Sequence, residues 1–475
     1  MRNGQGPSGP NKPLPQTLFS LILSRSRHSE SIITPTSNQL AMAREKVAVV
    51  GLGYVGIPLS AILASKGFDV LGIDSLPERA KAIAAGKLPL KGDEPGLAQL
   101  LARVIKAKSL TAKTSFVGLE DRTAVFICVD TPIDESKRPN YGNLESALRN
   151  IGKNMSKGTL VVVESTIAPG TMLGPVAQTL SKTSGLKLGR DFKLAHCPER
   201  VMPGRLIHNI TTYDRVLGGY DDESLDRAAA IYSRIMKGKL HRTDLTTAEV
   251  VKTAENAYRD VQIAFANEVA LISEKLGVDA YEVRRLVNTC PFRDMHIPGA
   301  GVGGHCLPKD PWLLVHGGRD AGPKLIPIAR AVNEAMPFHV LDLAQSALED
   351  AGLSLEEAVV AVMGGSFLQD SGDVRNSPSI PVIESLGCAK DLRVHDPYLD
   401  ELAGVKVTKD AKTALRRADL AIFMVSHKEY ADLAPSVIKK LMRTPAVVDG
   451  RNIFSADKMA KAGVDYRAVG KGRRG

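Results

Sequence analysis

A cysteine in the glycine-rich stretch 301–311 is the residue of this chain best suited to covalent chemistry. The stretch reads Gly-Val-Gly-Gly-His-Cys-Leu-Pro-Lys-Asp-Pro, so Cys306 follows three glycines and Asp310 comes four residues later. Because glycine has no side chain, an anionic or sugar ligand can approach its backbone amide closely. A thiol beside a charged group is typical of a reactive nucleophile, but a glycine-rich loop that ends in a small buried cysteine contains the same residues. The rest of the chain must decide between these interpretations.

A long helix predicted over residues 246–276 carries a second set of reactive side chains. Thr246 is its predicted N-cap, with Glu249 three residues on. Three polar residues recur at i, i+4 and i+7 and therefore share one face of the helix: Lys252, Asn256 and Arg259. This face is either solvated or, because its neighbours are apolar, turned towards a substrate. In the second case we expect Lys252 to have a lowered pKa and to act as an acid or base.

Residues 47–74 have the pattern of a dinucleotide-binding unit. The apolar strand 47–50 leads into Gly-Leu-Gly-Tyr-Val-Gly and then into a helix, which is the context that the G-x-G-x-x-G fingerprint requires. The glycine amides and the helix N-terminus are suited to a pyrophosphate. The next strand ends in Asp74, eighteen residues beyond Gly56, whose carboxylate accepts ribose hydroxyls and repels a 2′-phosphate. The pattern predicts NAD rather than NADP, and the alternative is a tight turn without a ligand.

Hydroxyl side chains follow two more predicted strands of the same unit. The strand 123–129 leads to Thr131, and the strand 159–163 leads to Thr166. The carboxyl ends of parallel strands meet at one edge of the sheet, where cofactor and substrate bind in this architecture. Thr131 and Thr166 are therefore expected beside the cofactor, although Thr166 is equally compatible with a helix cap.

A further predicted strand, 191–196, leads into the sequence Cys-Pro-Glu-Arg-Val-Met-Pro. Its Glu199 and Arg200 leave the sheet through a turn bracketed by two prolines. A carboxylate and a guanidinium at such a place form either a structural ion pair or the mouth of an active site. Both interpretations are kept at this point.

Composition excludes several classes of protein. The 475 residues, 44% of them hydrophobic and 24% charged, predict two or three globular domains. The net charge of +10 comes from scattered basic residues without interleaved aromatic ones, which favours a phosphate-bearing small substrate and predicts no nucleic-acid partner. Five widely spaced cysteines without a C-x-x-C pair support neither a disulfide framework nor a zinc site. We therefore expect no metal and a reducing, cytoplasmic location.

The alternation of strands and helices predicts an α/β fold with two Rossmann-like parallel-sheet domains, joined by the long central helix and a helical middle domain. A second set of strands is expected at 358–363, 392–395, 418–425 and 446–449. The absence of eighteen consecutive apolar residues predicts no membrane span. The expected regions are a disordered extension at 1–43, with Met42 as the natural start, a cofactor-binding domain at 44–240, a helical dimerisation domain at 241–345 that holds the cysteine loop, and a second α/β domain at 346–475.

Six motifs occur in the order typical of the UDP-glucose/UDP-N-acetylhexosamine dehydrogenase family. They are GLGYVG, VDTP, EST, HCPERVMPG, EVVKTAENAYRDVQIAFANE and PGAGVGGHCLPKDPW. The chain resembles this family over residues 44 to 455, and Pro203, where UDP-glucose members have a glutamate, resembles the N-acetylhexosamine branch. The resemblance implies NAD-dependent oxidation of the C6 alcohol of a UDP-N-acetylhexosamine, with UDP-N-acetyl-D-mannosamine ahead of UDP-N-acetylglucosamine and UDP-glucose. It also implies that residues 346–475 bind UDP.

The resemblance further implies a four-electron reaction that uses two NAD+ in succession. In the first oxidation, Lys252, Asp310 and a water held by Asn256 remove the proton and stabilise the alkoxide. In the second, the thiolate of Cys306, favoured by nearby Lys252 and the loop amides, attacks the aldehyde. A thioester results, and its hydrolysis would release the acid.

The resemblance also implies a role for Glu199 in the last step. Its carboxylate would promote hydrolysis of the thioester by a water that Thr131 orients. The implied cofactor contacts are Gly51, Gly53, Tyr54, Val55, Gly56, Asp74, Arg79, Thr131, Thr166 and Arg375. The implied substrate contacts are Glu199, Arg200, Val201, Lys252, Asn256, Arg259, Arg293 and Gly303.

Two positions depart from the family pattern. Leu368 stands where relatives usually have a lysine that contacts the diphosphate, so the charge must come from Arg375 or another residue. Relatives often read His-Pro-Arg near residues 290–293, where this chain reads Cys-Pro-Phe-Arg. Arg293 would then reach the substrate across the subunit boundary of a homodimer or higher oligomer.

Two other functions stay open: a two-electron 3-hydroxyacid-type dehydrogenase, and a nucleotide-sensing protein that has lost catalysis.

Overall fold

The computed structural model describes residues 44–90, 92 and 94–472, so the extension expected at 1–43 lies outside the described residues. Within them, eight strands form a first sheet: β1 (Lys46–Val50), β2 (Asp69–Ile73), β3 (Leu110–Lys113), β4 (Ala124–Ile127), β5 (Leu160–Val163), β6 (Lys193–His196), β7 (Arg215–Gly219) and β8 (Leu240–Asp244). Their order is β3-β2-β1-β4-β5-β6-β7-β8. All neighbouring strands are parallel except β6 and β7, which run antiparallel. The predicted parallel sheet is confirmed.

Helices cover both faces of this sheet. They are α1 (Gly56–Ser65), α2 (Pro77–Ala84), α3 (Leu97–Lys106), α4 (Gly142–Asn154), α5 (Ala177–Ser184), α6 (Leu206–Thr212) and α7 (Asp222–Ile235), with a π-helical turn at Met172–Val176 before α5. Strand β1 shows the consequence of two covered faces. Its Val47 and Val49 belong to one apolar core and its Ala48 and Val50 to another. Such strands are continuous apolar runs, which is why the sequence revealed them.

The helical middle part begins directly after β8. Its helices are α8 (Leu245–Lys275), α9 (Ala280–Val287), α10 (Asp310–Gly317) and α11 (Leu325–Asp350), with short 3-10 turns at Arg319–Ala321 and Leu355–Glu357. The predicted N-cap of α8 was wrong, because Asp244 takes that place and accepts a hydrogen bond from the backbone N of Thr247. Glu249, the expected partner of Thr246, instead accepts hydrogen bonds from the backbone N of Gly170 and Met172. It thereby joins α8 to the first sheet.

A buried polar network joins α8 to α11. Arg330 donates a 2.6 Å hydrogen bond to Oδ1 of Asp260, and 1% or less of either side chain is exposed. Asn333 donates to the same carboxylate and accepts from Asn267 at 2.9 Å. Oδ1 of Asn267 in turn accepts from the backbone N of Gly299 at 2.9 Å. The network therefore extends from α11 into the segment that precedes the cysteine loop.

A second sheet follows α11. Its strands are β9 (Val359–Met363), β10 (Asp391–His395), β11 (Glu401–Leu402), β12 (Val405–Thr408), β13 (Leu420–Phe423), β14 (Ala446–Asp449) and β15 (Asp465–Ala468), in the order β11-β12-β10-β9-β13-β14-β15. All pairs are parallel except β11 with β12. Its helices are α12 (Ser379–Ser385), α13 (Ala411–Leu415), α14 (Lys428–Ala431), α15 (Pro435–Leu441) and α16 (Ala456–Lys461). Among the described residues, no helix is both long and apolar enough to cross a bilayer.

Replacing Arg330 with methionine should strongly destabilise the protein. The substitution leaves the Asp260 carboxylate buried without its cation, a change that typically lowers the free energy of unfolding by about 3–5 kcal/mol. Urea denaturation followed by circular dichroism measures this change. As a control, Asp244→Ala removes the N-cap of α8 and should cost only about 1 kcal/mol. Equal losses in the two variants would show that the buried pair does not stabilise the α8–α11 packing.

Candidate active site

The glycine turn after β1 has one open position. A Cβ on Gly51, whose φ is +91°, would lie 2.7 Å from the carbonyl O of Cys128, and one on Gly56 would lie 1.8 Å from the carbonyl O of Gly51. These two glycines are required by packing within the protein. A Cβ on Gly53 would meet no atom within 4 Å, so the turn faces open space there. Together with the N-terminus of α1, this is where a pyrophosphate fits.

Asp74, at the end of β2, lies against the same turn. Its Oδ2 accepts a hydrogen bond from the backbone N of Leu52 at 2.8 Å, and its Oδ1 accepts one from Leu76 at 2.9 Å. Arg79 lies 3.3 Å from Oδ2. The carboxylate thus braces the glycine turn beside the position expected for the adenosine ribose. Tyr54 and Val55 belong to the turn itself, so the residues fit an NAD molecule.

Lys252 lies on α8, buried between two carboxylates. Its Nζ is 3.8 Å from Oε1 of Glu199, in the loop after β6, and 6% of the residue is exposed. Asp310, the first residue of α10, accepts a 2.6 Å hydrogen bond from Asn256, one turn along α8, and forms a 2.9 Å ion pair with Lys309. The first sheet, α8 and α10 therefore bring these predicted catalytic residues together.

The charge state of Lys252 differs from the expectation. Burial acts to lower the pKa of this ammonium, but the negative charges of Glu199 and Asp310 outweigh it, and the pKa is raised. The predicted lowered pKa was therefore wrong. Lys252 stays cationic at neutral pH and can stabilise an oxyanion rather than accept a proton.

The thiol of Cys306 also differs from the expectation. Burial, followed by the charges of Asp310 and Glu199, raises its pKa to about 11, although Lys252 and Lys309 act in the opposite direction. Lys252 therefore favours the thiolate, as predicted, but burial and the two acids outweigh it, so the thiol is the favoured form. The backbone N of Asp310 donates a 2.8 Å hydrogen bond to the carbonyl O of Cys306, which fixes the cysteine to the start of α10.

The turn after β6 is held at both ends. Glu199 accepts a 2.6 Å hydrogen bond from the backbone N of Val201, two residues on. Arg200 forms an ion pair with Glu255 on α8 and donates to the carbonyl O of Asp214 at 2.8 Å. Of the two interpretations of Arg200, the structural ion pair is therefore the one observed. The contact fixes the turn, and with it Glu199, against α8.

Beneath this turn lies a buried charge network that the sequence did not suggest. Arg215 on β7 pairs with Glu164 and donates a 3.0 Å hydrogen bond to the carbonyl O of Cys197. Tyr232 on α7 donates to the other oxygen of Glu164.

The two predicted threonines contact each other. The hydroxyl of Thr131 donates to the carbonyl O of Thr166 at 2.6 Å, and both residues are largely buried at the carboxyl edge of the sheet. No helix begins at Thr166.

The glycines before Cys306 face protein rather than open space. A Cβ on Gly303 would lie 2.5 Å from Cβ of Phe367 and 2.7 Å from the carbonyl O of Asn376. Gly304, with a φ of +91°, accepts a hydrogen bond from Asn376 and donates its N to the carbonyl O of Arg375. The expectation of a bare amide was wrong at Gly304, whose N is already hydrogen-bonded. Close packing against the second sheet requires the glycines.

The predicted arginines lie at different distances from the cluster. The Arg375 guanidinium pairs with Asp373, and its carbon is 5.2 Å from the ring centroid of Tyr54, so this arginine reaches the cofactor turn. Arg259 is exposed on α8. Arg293 is also exposed, and its guanidinium contacts only carbonyls of its own loop among the described residues. The structure therefore brings Arg375, but neither Arg259 nor Arg293, into contact with the predicted site.

Arg451 is a site residue that sequence reasoning missed. It follows β14 and donates hydrogen bonds to the carbonyl O of Met424 at 2.9 Å and of Gly301 at 3.2 Å. Burial lowers its pKa, and it forms no ion pair with the described part of the chain. A guanidinium without a carboxylate, at the junction of the cysteine loop and the second sheet, is suited to an anionic group. Its position after a predicted strand was the available signal.

A dinucleotide turn beside a buried lysine, two carboxylates and a cysteine defines an NAD-dependent dehydrogenase. Three models of the UDP-glucose/GDP-mannose dehydrogenase family match the chain: the NAD binding domain at residues 45–236, the central domain at 246–335 and the UDP binding domain at 361–456. The chain belongs to this family and is an NAD-dependent UDP-sugar dehydrogenase.

Several characterised proteins are similar along their whole length. A UDP-N-acetyl-D-mannosamine dehydrogenase of Pyrococcus horikoshii is 39% identical over 430 residues, which cover 90% of this chain and 99% of that protein. An NDP-N-acetyl-D-galactosaminuronic acid dehydrogenase of Ralstonia nicotianae is 34% identical, covering 87% and 97%. The solved structure of a UDP-D-ManNAc dehydrogenase from Pyrococcus horikoshii has a TM-score of 0.84 at 37% identity, covering 90% of this chain and 99% of that one.

Alkylation of Cys306 by iodoacetamide should accelerate with pH up to about 11, because the thiolate is the reacting species. Glu199→Gln removes a negative charge beside the thiol and should move the midpoint to lower pH. Lys252→Ala removes a positive charge and should move it to higher pH. Mass spectrometry of the Cys306 peptide measures the rate, with exposed Cys290 as the internal reference. Profiles that do not respond to either substitution would contradict this electrostatic coupling.

Proposed function

We propose that this protein oxidises the C6 alcohol of a UDP-N-acetylhexosamine, with UDP-N-acetyl-D-mannosamine favoured, to the uronate in a four-electron reaction through a thioester on Cys306. The observation that carries the proposal is a buried cluster of charged groups around this thiol. Lys252, Glu199 and Asp310 all interact electrostatically with it. A two-electron alcohol dehydrogenase has no use for the cysteine. The relatives named above act on N-acetylhexosamine nucleotides, which supports the substrate class.

In the first oxidation the hydroxyl oxygen loses its proton and the C6 carbon loses a hydride, which leaves an aldehyde. When bound, NAD+ accepts the hydride in each of the two oxidations. The proton passes through a water held by Asn256 to Asp310, whose carboxylate that amide contacts at 2.6 Å. Lys252, kept charged by its carboxylate neighbours, stabilises the negative charge that develops on the alkoxide oxygen.

Cys306 then captures the aldehyde before it can leave. Its sulfur bonds to C6, the carbonyl oxygen becomes an oxyanion opposite Lys252, and the thiol proton passes to a neighbouring carboxylate. Because the pKa of the thiol is raised to about 11, this proton transfer must accompany the attack. Loss of the second hydride from C6 leaves a thioester on Cys306.

Hydrolysis completes the reaction. Glu199 accepts a proton from a water that attacks the thioester carbon, and the sulfur leaves as a thiolate that is then protonated. The hydroxyl proton of Thr131 is donated to Thr166, so its oxygen lone pairs remain to orient the water. The carboxylate product and the free thiol are released.

The UDP-binding region keeps a cation although Leu368 replaces the family lysine. Arg451 offers a partly buried guanidinium beside Gly301, and we assign to it a share of the diphosphate charge. Gly303 and Val201 contribute backbone atoms to the proposed sugar pocket, and Arg200 holds the turn that carries Glu199 through its ion pair with Glu255. We propose that residues 44–240 bind NAD, that residues 241–345 form the dimer and hold the cysteine loop, and that residues 346–475 bind UDP. The three matched family models support this division.

We assign a cytoplasmic location, because the five cysteines are free.

Product stoichiometry tests the proposal. The wild-type enzyme should form two NADH for each UDP-N-acetyl-D-mannosamine consumed. Cys306→Ser should stall after the first oxidation, and formation of the acid should fall by at least about 1,000-fold. Absorbance at the NADH band together with chromatography of the sugar nucleotide measures both quantities. Cys290→Ser, at an exposed cysteine, is the matched control and should behave as wild type.

Other outcomes would identify a different function. One NADH per substrate, with Cys306→Ser unaffected, would indicate a two-electron 3-hydroxyacid-type dehydrogenase. Calorimetric binding of the UDP-sugar without any NADH at high enzyme concentration would indicate a nucleotide-sensing protein.

The sugar epimer is a separate question with a second candidate. The relatives named for N-acetylgalactosaminuronic acid include a solved structure from Methanosarcina mazei with a TM-score of 0.81 at 37% identity, covering 90% of this chain and 96% of that one. NADH formation should therefore be compared across the UDP-activated N-acetyl sugars of the manno, gluco and galacto series and UDP-glucose. We expect the manno sugar to have the highest kcat/KM, and a tenfold preference corresponds to only about 1.4 kcal/mol.

A homodimer is also proposed. Three large apolar side chains recur every seven residues along α8 and are exposed: Tyr258 at 66%, Phe265 at 57% and Ile272 at 53%. Such a stripe is suited to pairing with the same stripe of a second copy about a two-fold axis. In that assembly the exposed Arg293 serves the substrate site of the partner subunit.

Mixing two inactive variants tests this sharing of sites. Arg293→Ala and Cys306→Ser should each be inactive alone, but a heterodimer would contain one intact site, with Arg293 from one subunit and Cys306 from the other. After unfolding and refolding an equal mixture, activity should recover to about a quarter of the wild-type value. Lys252→Ala mixed with Cys306→Ser is the control for nonspecific recovery, because both residues come from the same subunit and no heterodimer then contains an intact site. Failure of the first mixture to regain activity would exclude a shared site.

A further inference from the structure

A basic pocket lies at the amino-terminal edge of the second sheet. It has a volume of about 510 Å3 and is lined by residues at the start of β9, in β10, in β12 and around α13. The cysteine loop meets this sheet at the other edge, through Asn376 and Arg451. None of the pocket's lining residues belongs to the site described above, so the pocket is a separate one.

The lining of this pocket is cationic, and none of its lining residues is acidic. Two of its five cations are neutralised by carboxylates nearby, since Arg393 pairs with Asp391 and Arg443 pairs with Asp419. Three others form neither an ion pair nor a side-chain hydrogen bond with the described residues: Lys406, Arg416 and Arg417. All three are exposed, so water screens their mutual repulsion, and an anion that lay between them would be attracted to all three.

The backbone holds one of these cations, Arg417, in an unfavourable conformation. Arg417 has a φ of +57°, a left-handed value that is unfavourable for a residue other than glycine. The turn is fixed on both sides, because the backbone N of Arg417 donates to the carbonyl O of Leu441 at 2.6 Å and Arg393 donates to that of Arg416 at 2.5 Å. Glycine would adopt this turn with less strain. An arginine here is explained if its side chain binds a ligand.

We propose that this pocket binds a small molecule that carries several phosphates, of the nucleoside diphosphate or triphosphate class. Guanidinium groups bind phosphate oxygens with paired hydrogen bonds, and three uncompensated cations match the charge of such a chain. Val359 and Leu392 add apolar wall for a base or sugar, and the volume lies within the range of small-molecule sites. This site is independent of the proposed reaction and stands or falls separately from it.

Binding stoichiometry with inorganic triphosphate tests the proposal. The full-length enzyme is dialysed against labelled triphosphate at fixed ionic strength without divalent metal, and bound equivalents are counted. Because triphosphate can also enter the cofactor and UDP sites, the decisive quantity is the difference between proteins. Wild type should bind one equivalent more than the double variant Arg416→Ala, Arg417→Gly, in which glycine suits the left-handed turn. Arg103→Ala, Lys106→Ala, on the exposed face of α3, should match wild type.

Each result decides for or against the pocket. Dehydrogenase activity and the thermal midpoint should be unchanged in the double variant, which shows that it is folded. Lys406→Ala, a single exposed change on β12, should weaken the same equivalent at least tenfold. Equal numbers of equivalents in wild type and the double variant, or an equal loss in the α3 control, would overturn the proposal, since binding would then occur elsewhere or by general charge attraction.

Discussion

A buried ammonium held between carboxylates is the interaction on which the rest of this structure depends. A lysine buried alone loses its charge, but Glu199 and Asp310 lie close enough to keep Lys252 cationic. These acids come from the loop after β6 and from the start of α10, so the cluster exists only when the sheet, α8 and the cysteine loop are assembled. The same charges raise the pKa of Cys306, because burial and two acids together outweigh the lysines. Reactivity of the thiol is thereby tied to proton removal within the site.

The cysteine loop is fixed by the second sheet as well as by α8. Gly303 packs against Phe367 so closely that no side chain fits, and Arg451 donates to the carbonyl of Gly301. On the other side Arg375 extends from the second sheet region towards Tyr54 in the cofactor turn. The cofactor and nucleotide parts of the site therefore share one set of contacts, and a shift of either sheet would displace the cysteine.

Those features that depend on local pattern could be predicted from the sequence. The buried strands β1, β4 and β5 are continuous apolar runs, whereas β8, in which three of five residues are exposed and polar, gave no signal. The prediction that Thr246 caps α8 with Glu249 as its partner failed. Glu249 instead accepts a hydrogen bond from Gly170, a residue distant in sequence, so it is not available to complete the cap. The charge of Lys252 was mispredicted for a similar reason. Burial alone lowers a lysine pKa, and the acids that reverse the shift are distant in sequence.

Trapping of the covalent intermediate tests the central claim most directly. The Glu199→Gln variant should still oxidise the sugar but hydrolyse the thioester slowly, so that acid quenching after incubation with NAD+ and UDP-N-acetyl-D-mannosamine preserves the acylated enzyme. Peptide mass spectrometry should then find the sugar nucleotide acyl group on Cys306. Hydroxylamine should remove this group, and it should be absent from the double variant Glu199→Gln, Cys306→Ser. Formation of two NADH per sugar with an unmodified Cys306 peptide would contradict the account.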